Sequence, residues 1–184
     1  MRTMTVRVLA TRPDGPTVHT EVDSPMGAVT LIGVGEVLTG LLLPSTRERN
    51  VTAAGAHGPR DDTALTTARS QLTEYLARER TDFDLHVHLV GSAFQVRVWE
   101  GLLRIPYGQT WSYGELAADI GYDPRTSSRA VGAANGANRI AVVVPCHRVI
   151  GANGTLTGFA AGVERKRFLL DLERPPTPAE ATLF

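Results

Sequence analysis

The chain has 184 residues, no net formal charge and a sequence pI near 7.0, and 42% of its residues are hydrophobic. These values are typical of a globular protein with one large domain or two small ones. A membrane span needs about 20 consecutive apolar residues, and no apolar run in the chain approaches that length. The single cysteine allows no internal disulfide and no zinc site with several cysteine ligands. The amino terminus lacks the apolar segment of a signal peptide, so we expect a cytoplasmic protein with no membrane partner.

Charge is nearly balanced within each half of the chain. Residues 1–90 hold 9 arginines against 11 acidic residues, a net charge of −2, and residues 91–184 hold 9 arginines and one lysine against 8 acidic residues, a net charge of +2. This asymmetry is too small for a strongly basic nucleic-acid surface. A nucleic-acid role would therefore depend on a local site with a modest salt dependence.

The first 90 residues alternate strand patterns with turns. Four segments have strand patterns, with alternating apolar and polar residues at 18–22 and 83–89. A fifth segment has a helical period, and residues 46–60, rich in Arg, Gly and Asn, are typical of a loop. The predicted elements are strands at 18–22, 28–32, 37–43 and 83–89 and a helix at 64–80. We therefore expect a small N-terminal α/β domain, residues 1–90, with an antiparallel sheet.

Residues 91–174 are typical of short helices joined by tight turns. Ser92 with Gln95, and Ser112 with Glu115, have the spacing of a capping box, and Thr126 or Ser127 is a candidate cap for a third helix. The predicted elements are helices at 92–104, 112–120, 129–137 and 164–173, a buried strand at 140–144 and a tail at 175–184. The second and third helices have the dimensions of a helix-turn-helix. The whole chain is thus expected to be α+β, with a mostly helical C-terminal domain.

The only cysteine follows an apolar run and a proline, in Val144-Pro145-Cys146-His147-Arg148. The thiolate is the reactive form of cysteine and nearby cations lower the thiol pKa, so Cys146 is a candidate nucleophile. A lone cysteine is also often a small buried hydrophobic residue. These five residues alone leave both interpretations open.

The predicted helix from Arg129 carries small side chains, in Arg129-Ala130-Val131-Gly132-Ala133-Ala134-Asn135. Helices that read bases in the major groove use long polar side chains, whereas a helix with small side chains suits the minor groove, about 6 Å wide. Arg129 would then be placed to enter the base stack as a wedge. Alternatively, the small residues mark a close crossing with another helix.

Residues 91–174 resemble the O6-alkylguanine-DNA alkyltransferases, the methylated-DNA–protein-cysteine methyltransferases. The resemblance rests on Pro145-Cys146-His147-Arg148-Val149, Asn138, Arg129-Ala130-Val131-Gly132, the segments 94–99 and 105–117, and Gly158-Phe159. Residues 1–90 match more weakly, through Asp23-Ser24-Pro25-Met26-Gly27. The resemblance implies a ribonuclease H-like N-terminal domain and direct-reversal DNA repair. In that reaction a methyl or other alkyl group moves irreversibly from O6 of guanine, and less efficiently from O4 of thymine, to the cysteine, and each molecule reacts once.

The resemblance also implies roles for the reacting residues. Cys146 would accept the alkyl group, His147 would take the thiol proton through a water, and Glu173 would orient the imidazole. Tyr113 would donate a hydrogen bond to the departing guanine, and Asn138 would brace the turn that carries the cysteine.

Base recognition is assigned on the same grounds. The carbonyl groups of Cys146 and Val149 would read the exocyclic amine of guanine, and Phe159, Ala160 and Ala161 would shape the alkyl pocket. Arg129 would fill the space left by a nucleotide flipped from the minor groove. Further DNA contacts are expected from Ala130, Gly132 and Ala133 on the same helix and from Thr110, Ser112, Arg125 and Ser128 beside it.

Single residues of this set also have ordinary structural interpretations. His147 could be a packed histidine, Tyr113 a core residue, and Glu173 a helix-end carboxylate paired with Arg174 or Lys166. The combination, at the spacing of the family, favours catalysis. Arg148 is expected to be structural, bridging the turn.

The sequence departs from the family pattern in two places. The stretch Gly158-Phe159-Ala160-Ala161-Gly162 stands where the family often has more glycine and a tyrosine or serine, which leaves the range of accepted adducts open. Arg139 stands where a proline often follows the asparagine. We expect no cofactor and no metal, because His86 and His88 lack a third ligand nearby.

Two other functions compete with alkyl transfer. A non-catalytic lesion-binding protein of the alkyltransferase-like kind typically has tryptophan in place of the cysteine, so Cys146 argues against it. A cysteine protease is disfavoured because its histidine lies far from the cysteine in sequence. The expected partner is double-stranded DNA containing O6-alkylguanine. We expect a monomer in solution, and the sequence leaves cooperative assembly on DNA open.

Overall fold

The computed structural model describes residues 5–44 and 57–175. It consists of a five-stranded sheet covered by one helix, followed by a mostly helical region that also contains a two-stranded sheet. The strands are β1 Arg7–Val8, β2 Val18–Val22, β3 Val29–Val34, β4 Val37–Leu42, β5 His86–Val87, β6 Trp111–Ser112 and β7 Val149–Ile150. The helices are α1 Thr66–Leu76, α2 Ala93–Leu102, α3 Tyr113–Asp119, α4 Pro124–Gly136 and α5 Val163–Glu173, and Cys146–Arg148 forms a 3-10 helix.

The large sheet has the strand order β1-β5-β4-β3-β2 and is mixed. Strands β2, β3 and β4 are antiparallel as expected, but β5 pairs parallel with both β4 and β1. The physical reason is the connection: β5 returns to the sheet through the crossover helix α1, and such a crossover makes neighbouring strands parallel. The strand predicted at 83–89 is reduced to two residues, and the sequence analysis missed β1.

Helix α1 covers the large sheet with one apolar face. Leu65, Ala68, Leu72 and Tyr75 are buried at spacings of three and four residues, which is the helical period that predicted the element. The helix ends at Leu76, before the predicted end at residue 80. Its last buried side chain, Tyr75, also belongs to the core, and its hydroxyl donates to Glu173 of α5.

The capping boxes predicted at Ser92 and Ser112 are both confirmed, and they begin α2 and α3. The next helix is also present, but its predicted start at Arg129 and its predicted cap were wrong. Helix α4 begins at Pro124, and its N-cap is Asp123, whose carboxylate accepts from Arg125 N at 2.9 Å. Aspartate caps as well as serine, and proline at the first helical position already has the helical φ, so this earlier start is favoured over the predicted caps Thr126 or Ser127.

The predicted buried strand at 140–144 was also wrong, although the segment is buried. Ile140 forms a single bridge to Leu41 of β4, and the chain then turns, with Val143 N donating to Ala141 O and Val144 N to Ile140 O. Val142 adopts a φ of 71°, which is strained for a β-branched residue. A short apolar run has no periodicity that separates a strand from a buried turn. A compact turn, and not a strand, therefore leads to Cys146.

A single hydrophobic core runs through both halves of the structure. Leu41 of the large sheet, Leu102 of α2 and Val144 of the turn all belong to it, and Leu41 N donates to Arg139 O at 2.8 Å.

The predicted loop at 46–60 and the predicted tail at 175–184 fall largely outside the described residues. Within the loop, Pro59 and Arg60 pair with His19 of β2. Among the helices described, none is both long and apolar enough to cross a membrane.

Candidate active site

Cys146 is the first residue of the 3-10 helix, directly after the buried turn. Cys146 is only 4% exposed, and its backbone N donates to Val144 O at 2.8 Å. Burial raises the pKa of the Cys146 thiol, and a hydrogen bond with Asn138 and the charge of Lys166 offset only part of that effect. The sulfur is therefore a protonated thiol at neutral pH and needs a base to become a nucleophile.

Two asparagines from the end of α4 hold the cysteine turn. Asn138 spans it, since its Nδ2 donates to Val144 O at 2.8 Å and its Oδ1 accepts from Ile140 N at 3.0 Å. The buried Asn135 donates from Nδ2 to Cys146 O at 3.3 Å. Sequence reasoning missed Asn135, because a polar residue in the last turn of a helix is normally exposed.

His147 and Glu173 form a buried pair. His147 Nε2 lies 2.7 Å from Glu173 Oε1, and both side chains are at most 1% exposed. The carboxylate also accepts from Arg148 Nη2 at 2.9 Å, and from Tyr75 Oη and Gly108 N. Burial alone would raise the pKa of Glu173, but the hydrogen bonds from His147 and Arg148 outweigh it and hold that pKa well below its usual range. Glu173 is therefore ionised.

The protonation of His147 follows from the same contacts. Burial lowers the pKa of His147, and the neighbouring charges of Arg148 and Lys166 oppose its protonation further, although Glu173 favours it. The neutral imidazole donates its Nε2 proton to the carboxylate, so Nδ1 carries the lone pair. Nδ1 is buried and has no hydrogen-bond partner among the residues that the structure describes. His147 can thus accept a proton at Nδ1.

The two ion pairs considered for Glu173, with Arg174 and with Lys166, do not form. Arg174 pairs instead with Asp171 at 3.7 Å, and Lys166 binds backbone carbonyls. Arg148 makes the structural bridge that we expected, since its Nη1 donates to Ile105 O at 2.7 Å while the rest of its guanidinium binds Glu173.

Lys166 is a second site residue that the sequence analysis missed. It is fully buried, and its Nζ donates to Val149 O at 2.5 Å and to Thr157 O at 2.9 Å. Burial lowers the pKa of Lys166 to about 8. The available signal was composition: the chain has 18 arginines and this single lysine, which suggests a position where a compact ammonium group is needed.

Tyr113, the first residue of α3, faces the loop after β7. Its hydroxyl donates to Thr157 O at 2.8 Å, and partial burial raises its pKa. Gly158, with a φ of 69°, lies so close that a Cβ there would meet Tyr113 Oη at 2.7 Å. Phe159 places its ring 6.0 Å from Lys166 Nζ. Phe159 and Ala161 are partly buried, whereas Ala160 is exposed at the rim of a cavity of about 420 Å³ that Leu43 and Asn138 also line.

Helix α4 turns its small residues outward. Arg129, Ala130 and Ala133 are exposed, while Val131 and Ala134 pack inward, where Trp99 Nε1 donates to Ala134 O at 2.8 Å. Close helix crossing therefore explains Ala134 but not Ala130 or Ala133. Gly132 faces the ring of Tyr113, which a Cβ would approach to 3.6 Å.

The remaining DNA-contact candidates lie around these two helices. Thr110 and Arg125 are exposed. Ser112 Oγ accepts from Glu115 N in its capping box, and Ser128 Oγ donates to Pro124 O, so both hydroxyls already have partners.

Of the two histidines considered as metal ligands, His86 is exposed and His88 contacts Leu9 O. Within residues 5–44 and 57–175 no group of three His, Cys, Asp or Glu side chains could hold a metal ion.

Known proteins resemble this chain in sequence and in structure. The profile of the 6-O-methylguanine DNA methyltransferase ribonuclease-like domain matches residues 17–89, and the profile of the DNA binding domain of the same enzymes matches residues 93–175. The methylated-DNA–protein-cysteine methyltransferase of Mycobacterium tuberculosis is 52% identical over 164 residues, which cover 89% of this chain and 96% of that protein. The inducible methyltransferase of Bacillus subtilis is 49% identical over 114 residues, 62% of this chain and 63% of that protein.

Solved structures agree with these sequence matches. The crystal structure of M. tuberculosis O6-methylguanine methyltransferase superimposes with a TM-score of 0.80 at 49% identity and covers 91% of this chain and 99% of that chain. The structure of M. tuberculosis OGT in complex with DNA gives a TM-score of 0.78 at 48% identity, with the same coverage. On both halves of its sequence and on its fold, the chain belongs to the 6-O-methylguanine DNA methyltransferase family.

Proposed function

We propose that the protein repairs DNA by direct reversal: it transfers a methyl or other alkyl group irreversibly from O6 of guanine, and less efficiently from O4 of thymine, to Cys146. One observation carries the proposal. A buried thiol is followed by a neutral histidine whose Nε2 proton is held by the ionised Glu173, in a chain whose relatives are named methylated-DNA–protein-cysteine methyltransferases. A lesion-binding protein without catalysis is not favoured, since it would need neither the thiol nor a base beside it.

Activation of the sulfur begins with proton transfer. The Cys146 thiol gives its proton, through a water, to His147 Nδ1, and Glu173 stabilises the imidazolium that results. The thiolate attacks the methyl carbon in line with the departing oxygen; the S–C bond forms as the C–O6 bond breaks, and the electron pair of that bond remains on guanine. A pKa raised by burial keeps the sulfur protonated until this step, which protects the single nucleophile from other reactions.

Guanine leaves with negative charge, and a fixed donor stabilises it. We assign that role to Tyr113, whose hydroxyl is held by Thr157 O, so base binding would exchange one acceptor for another. The Cys146 and Val149 carbonyls would read the exocyclic amine. Asn135 and Lys166 donate to these two carbonyl oxygens and hold them in place.

The target base must leave the duplex to reach this buried sulfur. Unstacking costs a few kcal/mol, less for a lesion that pairs badly. We propose that the exposed face of α4 enters the minor groove with Ala130, Gly132 and Ala133, and that Arg129 fills the space of the flipped nucleotide. Thr110, Ser112, Arg125 and Ser128 are proposed phosphate contacts, and the partner is double-stranded DNA that carries O6-alkylguanine.

We also propose separate roles for the two halves of the chain. Residues 1–90 form the N-terminal domain, and residues 91–174 form the domain that binds DNA and accepts the alkyl group, in line with the matched ranges 17–89 and 93–175. We propose a monomer in the cytoplasm, without cofactor or metal.

The proposed function is tested by counting methyl groups. The protein is incubated with excess duplex that contains radiolabelled O6-methylguanine, and bound label is measured per chain. We expect at most one equivalent, carried by the peptide that contains Cys146. Label above one equivalent, or label released to solvent with turnover, would contradict a reaction that consumes the protein.

Arg129→Ala tests base flipping separately from chemistry. Loss of the wedge should slow repair within duplex DNA by about 100-fold, the equivalent of an extrusion cost of a few kcal/mol, and leave the reaction with free O6-benzylguanine near wild type. Rates on both substrates are compared with those of Arg7→Ala, an exposed arginine of β1. Equal slowing on duplex and free base would refute the wedge.

A further inference from the structure

Tyr75 brings the N-terminal half of the chain into the active site. It lies on the buried face of α1, is 0% exposed, and donates its hydroxyl to Glu173 Oε1 at 2.5 Å across 98 residues of sequence. The same oxygen accepts from His147 Nε2 at 2.7 Å. Tyr75 therefore binds the carboxylate atom that orients the histidine.

The direction of this hydrogen bond is fixed. An ionised carboxylate can only accept, so the phenol must donate. Burial raises the pKa of Tyr75 well above its usual value and the charge of Glu173 raises it further, so the hydroxyl keeps its proton. Tyr75 therefore donates to Glu173 wherever the carboxylate is ionised.

The tyrosine ring is held independently of its hydroxyl. It packs against Phe83, with ring centroids 5.2 Å apart, and edge-on against Tyr107 at 6.1 Å. Phenylalanine would fill the same space. A buried phenol also needs some acceptor for stability alone, and that explanation predicts an effect on folding but none on the histidine.

We propose that Tyr75 is a positioning residue for methyl transfer: together with Arg148 and Gly108 N it fixes the Glu173 carboxylate so that Oε1 receives His147 Nε2. The N-terminal domain thereby completes the relay of the C-terminal domain. The inference rests on the function proposed above.

Removing the hydroxyl should make His147 more basic. The phenol draws negative charge from Glu173, and without it the carboxylate stabilises the imidazolium more strongly. The other titratable groups that face this cluster stay in place: Arg148 and Cys146 on the 3-10 helix, Lys166 on α5, Tyr107 after α2, and Arg78 after α1. A more basic histidine is protonated over a wider range of acid pH, where it cannot accept the thiol proton.

The test uses the full-length protein as wild type, Tyr75→Phe and Tyr107→Phe. Tyr107→Phe is the matched control, because its hydroxyl lies beside the same cluster but donates to the backbone at Leu172 O, 3.3 Å away. Three quantities are measured: the rate constant of methyl transfer from duplex DNA against pH, the His147 pKa by NMR, and the stability in urea.

Where His147 is neutral, we expect Tyr75→Phe to react about tenfold more slowly, because a Glu173 carboxylate with one hydrogen bond fewer holds His147 less firmly in the orientation that receives the thiol proton; the loss of one hydrogen bond to a charged group is of this size. The His147 pKa should rise, and the acid side of the pH–rate profile, where the rate falls as His147 is protonated, should shift to higher pH. Tyr107→Phe should keep the rate and the profile of the wild type even where it loses similar stability. A Tyr75→Phe protein with the rate and pH profile of Tyr107→Phe would overturn the proposal, whereas a wild type that transfers no methyl group would overturn the proposed function itself.

A second variant keeps the proposal testable if Tyr75→Phe fails to fold. Difluorotyrosine at position 75 preserves the shape of the side chain and makes its hydroxyl a stronger donor. The His147 pKa and the acid side of the pH–rate profile should then move to lower pH, opposite to the shift expected for Tyr75→Phe. An unchanged profile would contradict a role in the relay.

Discussion

Cys146→Ser is expected to reduce methyl transfer below detection while the protein still binds DNA. Serine places a hydroxyl where the sulfur was, and a hydroxyl is a far weaker nucleophile because its pKa lies well above that of a thiol. His147 is too weak a base to remove the proton of a serine hydroxyl. Radiolabel bound after incubation with methylated duplex measures the loss, and band shift measures the binding.

Cys146→Ala is the control for folding. The cysteine is buried, and serine at this position buries a new polar group at a cost of about 1–3 kcal/mol, whereas alanine does not. Both variants should bind duplex DNA with an affinity within about threefold of wild type, since fully buried side chains do not reach the phosphates that dominate affinity. Methyl label on either variant would show that another residue accepts the alkyl group.

Glu173→Ala is expected to destabilise the protein by about 3–5 kcal/mol and to remove the orientation of His147. The carboxylate is the shared acceptor for His147, Arg148 and Tyr75, all of them buried, and truncation leaves the Arg148 charge unpaired in the interior. Urea unfolding at neutral pH measures the loss. Asp171→Ala is the matched control on the same helix, because its ion pair with Arg174 is exposed and should contribute less than about 1 kcal/mol.

The effect of Glu173→Ala should depend on pH. Because the folded-state pKa of Glu173 is held below the reference value of 4.5, its contribution is fully present above pH 4.5 and is lost as the pH falls toward the folded value. The difference in unfolding free energy between wild type and Glu173→Ala should therefore shrink in acid. A difference that stays constant from neutral pH to about pH 3 would mean that the carboxylate contributes no charge-dependent stability.

The elements that the sequence predicted well are those with a local physical cause. The capping boxes at Ser92 and Ser112 join residues three apart, and the strands β2 to β4 are short segments of five or six residues with strand-like composition. The errors arose where the local signal was ambiguous. Asp123, Thr126 and Ser127 are all acceptable caps for α4, and the apolar run at 140–144 satisfies burial equally well as a strand or as a turn.

Residues of the candidate site divide in the same way. Cys146 and His147 are adjacent, so the sequence alone paired a thiol with a base, and the resemblance to a family supplied Glu173, Tyr113, Arg129 and Asn138. Asn135, Lys166 and Tyr75 carried no motif. Each became visible only because the fold buries it beside a specific acceptor.

The sequence around Cys146 is compatible with a nucleophile and with a buried hydrophobic residue. In the structure Cys146 is a buried thiol with a base next to it. The sequence by itself determined the lone sulfur, its neighbouring histidine and the small side chains of α4, because these depend on residue identity and short spacing. Only the tertiary structure decided the charge state of the relay. Burial and long-range hydrogen bonds set the pKa values of Cys146, His147 and Glu173, and contacts across 26 and 98 residues leave no pattern in a sequence.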